Sequence, residues 1–203
     1  MRPGEREANA GRSRGWLVLV VGPSGAGKDS LIVGARDAFA DNSEISFPRR
    51  DITRPPGFGH EDHVAVTETE FRERQAQGRY SLSWAAHGWR YGVPRAIESD
   101  LAAGRGVVVN VSRSVIAEAR HRLWPVGVVS VRVPPEILRR RLAKRGRESH
   151  AEIEARIARA DAYSVDGPEV MTLVNDRSIE QGVAAFVALL SGLMQKNESV
   201  PAR

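Results

Sequence analysis

An α/β protein is what this sequence predicts: a three-layer fold with a parallel core sheet, a small inserted subdomain and a helical lid. Three observations carry that expectation. Trp16–Val21 (WLVLVV), Gly106–Val111 (GVVVNV) and Val126–Val133 are apolar runs of strand length. Their continuity is that of strands buried on both faces, as in a parallel sheet. They alternate with helical patterns over Leu31–Phe39, Val115–Leu123, Glu136–Arg145, Ala151–Tyr163 and Ile179–Met194, the rhythm of strands joined by crossover helices. Between the first run and the first helix stands Gly22–Ser30, GPSGAGKDS, whose spacing from Gly22 to Gly27-Lys28 fits G-x-x-x-x-G-K.

Taken in order, Met1–Arg14 is polar and arginine-rich and reads as a disordered lead. After the first strand, loop and helix, Ile45–Phe47 is a short apolar piece, followed by Arg49-Arg50-Asp51-Ile52-Thr53-Arg54 and a Pro55–Gly59 loop. His63–Val66 reads as a short strand. Thr67 with Glu70 forms a capping-box signature for a helix over Phe71–Gln77, stopped by Gly78. Tyr80–Ala86 and Trp89–Val93 flank His87-Gly88 as a hairpin. Pro94 suits the first turn of a helix running to Gly104. Met171–Val174 is a last short strand, ending at Asn175-Asp176. The domain is expected over residues 15–195, with the insertion at about 49–93, the lid at about 139–160 and a tail at 196–203.

Strand, glycine-rich turn and helix N-terminus together make a phosphate-binding loop. Glycines let several backbone N–H groups converge, and the helix dipole adds positive charge there. Lys28 supplies a full charge for β- and γ-phosphates. The residue after that lysine is ordinarily Ser or Thr, whose hydroxyl holds Mg²⁺; here it is Asp29, followed by Ser30. A carboxylate is a good magnesium ligand, and an acid is also well placed in any first helical turn; both readings stand.

Composition sets the bounds. A chain of 203 residues, 41% hydrophobic and 27% charged, predicts one globular domain. No apolar run approaches the roughly 20 residues of a membrane span, and no secretory pattern is present, so the cytoplasm is the expected compartment. Cysteine is absent, which excludes disulfides and thiolate metal sites. The formal charge is +5, but only Lys28, Lys144 and Lys196 of the thirty basic residues are lysines, so position matters more than total. No nucleic-acid motif is present, and 6% aromatics are too few for a base-stacking surface.

The order of these motifs resembles the guanylate kinase superfamily of P-loop nucleoside-monophosphate-kinase-like enzymes, from about Trp16 to Met194. The residues that carry it are the GPSGAGK loop, T-R-x-P at Thr53, Arg54 and Pro56, Glu70-Phe71, Ser83-Trp84-Ala85 and Tyr91-Gly92. Further on are R-L-x-x-R-G at Arg141, Leu142, Arg145 and Gly146, then Arg156, then Val174-Asn175-Asp176. Departures from guanylate kinases are informative. Arg50 stands where a serine reads guanine, Ser83 where a glutamate does, and Gly57 where a second phosphate-binding arginine does; Asn110 and Ser112 replace a strand's two acids. An arginine in place of a neutral hydrogen-bonding group favours an anion.

That pattern is similar to the ribose 1,5-bisphosphate phosphokinase family, associated with phosphonate breakdown. Its R-R-x-I-T-R-P, E-D-H, W-x-A-H-G-x-R-Y-G, V-V-V-N and R-G-R-E stretches all stand here. The resemblance implies ATP-dependent phosphorylation of ribose 1,5-bisphosphate to 5-phosphoribosyl 1-diphosphate, with Mg²⁺. It implies ATP contacts from Gly22, Pro23, Ser24, Gly25, Ala26, Gly27, Lys28, Asp29 and Ser30, with Asn175 at the adenine and Asp29 as the candidate metal ligand. Arg145 and Arg156 resemble lid arginines that act with Lys28 on the transferring group. Arg50 and Arg54 are the leading acceptor ligands, with Arg49, Arg90, His63 and Tyr91 in second rank. Arg139, Arg140, Arg141 and Arg147 read as charged helix surface, Trp84 as subdomain core. The expected partners are ATP and a phosphorylated sugar, with neither nucleic acid nor membrane; a homodimer stays open. Guanylate kinase proper is the alternative activity, and a non-catalytic interaction module of the same fold a third reading.

Overall fold

The computed structural model describes residues 14–55, 62–146, 149–161 and 165–196. The N-terminal lead, most of the Pro55–Gly59 loop with Gly57, Arg147, and the tail beyond 196 lie outside these described residues.

Five strands form the central sheet: β1 (Leu17–Val21), β2 (Ile45–Ser46), β7 (Gly106–Asn110), β8 (Val126–Arg132) and β9 (Val170–Val174). Their spatial order is β2-β7-β1-β8-β9, every pair parallel, with β1 in the middle. Alternation of side chains across the strands divides the core in two. Leu17, Leu19, Val21, Val107, Val109 and Val128 face helices α3 (Ile97–Ala102) and α4 (Ile116–Arg122), meeting Ile97, Leu101, Ile116 and Ala119. Val18, Val20, Val108, Val129 and Val131 face α1 (Lys28–Ala38) and α7 (Ile179–Lys196), meeting Leu31, Ala35, Phe186 and Leu190. Because both faces are covered, strands of nearly unbroken Val and Leu are what this sheet requires. On the second face the two helices come close: a methyl on Gly34 of α1 would lie 2.4 Å from Val183 Cγ2 of α7, so only glycine fits.

The segment after β2 builds a second, four-stranded sheet in the order β4-β3-β6-β5, from β3 (Asp51–Ile52), β4 (Val64–Ala65), β5 (Tyr80–Ala86) and β6 (Trp89–Pro94). Helix α2 (Glu68–Ala76) lies between β4 and β5, and its start is the expected capping box: Thr67 Oγ1 accepts from Glu70 N and Glu70 Oε2 accepts from Thr67 N. Those bonds hold the Glu70 carboxyl below its usual range. The β5–β6 turn has positive φ at both His87 (52°) and Gly88 (79°), as a tight two-residue hairpin needs. Asp51 is buried and accepts from Arg74 Nη1 at 2.6 Å and Tyr80 Oη at 2.8 Å, tying β3 to α2 and β5. Burial and that bond push the Tyr80 phenol above its ordinary range.

Helices at Lys28–Ala38 and Glu68–Ala76 each start three residues before the expected range, and at Pro94 the type of element itself differs. Pro94 ends β6 opposite Tyr80, and α3 begins only at Ile97. A proline fits a strand where its missing N–H is not needed, and the pairing is irregular between Tyr80 and Leu82. The next residue resumes it, Arg95 N donating to Arg79 O at 2.8 Å. The lid is a helical pair, α5 (Pro135–Arg145) and α6 (His150–Asp161), joined by Leu138, Leu142, Ile153 and Ile157. No helix among the described residues is long and apolar enough to cross a membrane.

Candidate active site

β1 delivers the chain to the loop at the carboxyl edge of the central strand, and α1 receives it. Gly27 caps α1 in the left-handed region at φ 86°. Lys28 Nζ folds over the loop and donates to Gly22 O at 2.8 Å and Pro23 O at 2.9 Å, so the cation sits on the strand side of the turn. Gly25 and Ala26 are buried under the turn; Ser24 and Ser30 are exposed.

Asn175 takes a different place from the one implied for it. It is buried at the end of β9, and Nδ2 donates to Ala26 O at 2.7 Å. A methyl on Gly27 would lie 2.6 Å from Nδ2, and one on Gly182 2.6 Å from Oδ1. The amide is therefore enclosed by the loop and α7 and braces the loop; an adenine contact would need it on an open face. Arg141, read from sequence as surface, points at the same loop. Its Nη1 is buried without a hydrogen-bond partner among the described residues and lies 3.9 Å from where a Cβ on Gly27 would stand. Burial pulls its guanidinium below the ordinary value, against the pull of nearby Asp176. A buried N–H left unpaired is costly, and a phosphate oxygen is the acceptor it suits. The available sequence signal was helical phase, since Leu138 and Leu142 flank Arg141 on the buried side of α5.

Asp29, in the first turn of α1, meets Asn110 at the end of β7: Asn110 Nδ2 donates to Asp29 Oδ1 at 2.9 Å. Ser112 is occupied in capping the following turn of 3₁₀-helix, accepting from Ser114 N at 3.3 Å. Asp29 and Asn110 line one cleft with Arg36, Arg49, Arg50 and Asp62. The loop side and the inserted sheet thus open onto a common space.

On the insert side Arg50 is only 5% exposed, against an arginine's usual place on a surface. Its guanidinium carbon lies 5.5 Å from the Trp84 ring centre and 5.2 Å from that of Tyr91. The two rings are cross-strand partners, 5.3 Å apart and 3° from parallel. A flat cation stacked on aromatic faces is held in orientation as well as in place. Trp84, read from sequence as subdomain core, packs partly buried against the core and also serves as a stacking face for Arg50. Arg54 and His63 adjoin each other through His63 Nε2 and Arg54 O at 3.2 Å. The second-rank arginines have carboxylate partners: Arg90 Nε donates to Glu68 Oε1 at 2.6 Å, holding that carboxyl low, and Arg49 pairs with Asp62 at 3.6 Å, which also pairs with Arg36 at 3.2 Å.

The lid lies against the loop. A methyl on Gly25 would meet Leu138 Cδ1 at 2.9 Å and Leu142 Cδ2 at 3.0 Å. Arg139 makes a forked pair with Glu154 at 2.6 and 3.0 Å, fixing α5 to α6. Arg156 stands half-buried on α6; the side chain of Arg145 lies outside the described residues. A second cleft opens between loop and lid, lined by Gly22, Pro23, Arg113, Ser130, Arg132 and Ile157. Arg113 escaped the sequence reading because it lies three residues beyond the V-V-V-N stretch, outside every motif quoted.

No protein-family model matches the chain. Ribose 1,5-bisphosphate phosphokinase PhnN of Acidiphilium cryptum is 51% identical over 176 residues, covering 87% of this chain and 92% of that protein. The chain belongs to the ribose 1,5-bisphosphate phosphokinase family. Another member, from Methylobacterium radiotolerans, is 46% identical and is covered over 97% of its length. The chain also matches bifunctional ribose 1,5-bisphosphokinase-thymidine phosphorylases, at 41% identity over 186 residues in Roseobacter denitrificans. It spans only 28–30% of the length of those bifunctional relatives. Among solved structures, guanylate kinase from Anaplasma phagocytophilum superposes with a TM-score of 0.63 at 20% identity, covering 92% of this chain and 90% of that one. At that identity the likeness concerns the fold alone.

Proposed function

We propose that the protein transfers the γ-phosphoryl group of ATP to ribose 1,5-bisphosphate. An oxygen of the acceptor's 1-phosphate forms the new P–O bond as the bond to the β-phosphate breaks. The products are 5-phospho-α-D-ribose 1-diphosphate and ADP, a route into that diphosphate from phosphonate breakdown. The observation that carries the reading is Arg50: a buried, aromatic-stacked cation where a guanine-binding fold would need a neutral hydrogen-bonding group. An acceptor with a second phosphate in place of a base is what such a position suits.

The loop amides, Lys28 and Arg141 would hold the donor phosphates, with Asn175 keeping the loop in shape. Arg50 and Arg54 would hold the acceptor, and Arg145 and Arg156 would close over the transferring group. Phosphoryl transfer depends chiefly on alignment and charge compensation, and fixed cations provide both. Magnesium fits this donor set. It is ordinarily bound by one or two carboxylates together with substrate phosphates and water, and Asp29 offers one carboxylate beside the loop. Asp29 Oδ1 is engaged by Asn110, and no partner of Oδ2 is found among the described residues. When bound, the ion would neutralise charge between the β- and γ-phosphates.

The direct test offers purified protein, ATP and Mg²⁺ with ribose 1,5-bisphosphate and GMP in parallel, following ADP release and product mass. Turnover of the sugar with little use of GMP is expected. Rapid use of GMP without turnover of the sugar would reverse the assignment.

A further inference from the structure

In P-loop nucleotide hydrolases a loop hydroxyl and a strand carboxylate together hold the metal. Here the two positions carry the opposite chemistry. The loop residue after Lys28 is the acid, Asp29, and the residue ending β7 is the amide, Asn110. They still touch, Asn110 Nδ2 donating to Asp29 Oδ1 at 2.9 Å. We infer that the metal-holding carboxylate has been transposed from strand to loop, and that Asn110 is a positioning residue whose amide keeps Asp29 turned toward the ion that accompanies the nucleotide. This rests on the ATP-dependent reading above and goes beyond it by assigning Asn110 a role.

Three further observations support the transposition. Ser112, which stands at the other strand-acid position, caps its own turn and supplies no carboxylate. Asp62, the other carboxylate lining the cleft, is paired with both Arg36 and Arg49. No cluster of three or more His, Cys, Asp or Glu suited to a metal occurs among the described residues, and with Asp62 paired to two arginines, Asp29 is the described cleft carboxylate best placed to meet an ion held largely by phosphates. With one carboxylate, its orientation governs affinity. An amide is well suited to fixing that orientation, because it donates to one oxygen, adds no charge and leaves the other oxygen for the ion.

The experiment measures Mn²⁺ binding to the protein–ADP complex by the loss of the free-ion paramagnetic resonance signal. ADP affinity without metal and the melting temperature are measured alongside. Asp29→Ser and Asn110→Leu should each weaken manganese binding, by about ten- to a hundredfold, the range for losing an oriented ligand or its hydrogen-bond support. Metal-free ADP affinity should stay at the wild-type value in Asn110→Leu and should not fall in Asp29→Ser, where loss of a carboxylate beside the phosphates only relieves repulsion. The double exchange, Asp29→Ser with Asn110→Asp, returns the carboxylate to the strand and should recover most of the lost affinity. A wild-type manganese titration in either single variant overturns the inference. So does a double exchange no better than Asp29→Ser alone, or an Asn110→Leu protein that loses ADP affinity with and without metal alike. A wild-type protein that binds no ADP would overturn the ATP-dependent reading itself, and the inference with it.

Discussion

Arg50 and Arg141 share a side chain and a charge, yet the fold gives them different surroundings. Arg50 lies flat against Trp84 and Tyr91 in the inserted sheet, while Arg141 reaches the loop from the lid with a buried nitrogen that lacks a partner among the described residues. Replacing each with methionine should therefore separate the two substrates. Arg50→Met should raise the acceptor KM about ten- to a hundredfold, the worth of a charged hydrogen bond, and leave the ATP KM unchanged. Arg141→Met should do the reverse. Arg50→Lys should recover little, because an ammonium neither stacks nor forks as a guanidinium does. Steady-state kinetics with each substrate varied in turn will read the split; an equal rise in both constants for either variant would contradict the division.

At the scale of elements, the lid is a packed structure. Leu138 and Leu142 of α5 contact Ile153 and Ile157 of α6 on one side and the loop at Gly25 on the other. The same leucines that hold the helical pair together thus set its distance from the loop at Gly25. Leu142 is fully buried, and Leu142→Ala should cost about 2–5 kcal/mol if the whole domain unfolds as one unit. Denaturant unfolding followed by tryptophan fluorescence will measure it. A loss well below that range would mean that the helical pair unfolds apart from the sheet. The electrostatic tie between Arg139 and Glu154 is exposed and secondary to this contact.

Across the molecule, a net charge of +5 suits the two polyanionic substrates proposed for the adjoining clefts. Long-range attraction of that kind is screened by salt, so kcat/KM for the acceptor should fall steadily as ionic strength rises from low to physiological values. A flat salt profile would mean that encounter depends on short-range contacts alone. The central sheet and the loop were legible in the sequence because burial on both faces leaves unbroken Val and Leu runs, and G-x-x-x-x-G-K fixes where β1 ends. Pro94 was not, because a proline serves equally well at a helix start and at an irregular strand end, and only the pairing with Tyr80 decides. Asn175 stands at a strand end as the sequence suggests, but which way its amide turns depends on Ala26, 149 residues away in sequence, and on the turn of chain that brings Gly182 against it. Arg141 was hidden among neighbours of the same type until the rotation of α5 was known.

The missing side chain at Gly34 has a dynamic consequence. With Val183 filling the space where a Cβ would sit, α1 is keyed to α7 and cannot roll or slide without a clash. The helix that carries the phosphate loop is thus a stator. Any closure of the second sheet or the helical pair would then take place against that keyed pair of helices.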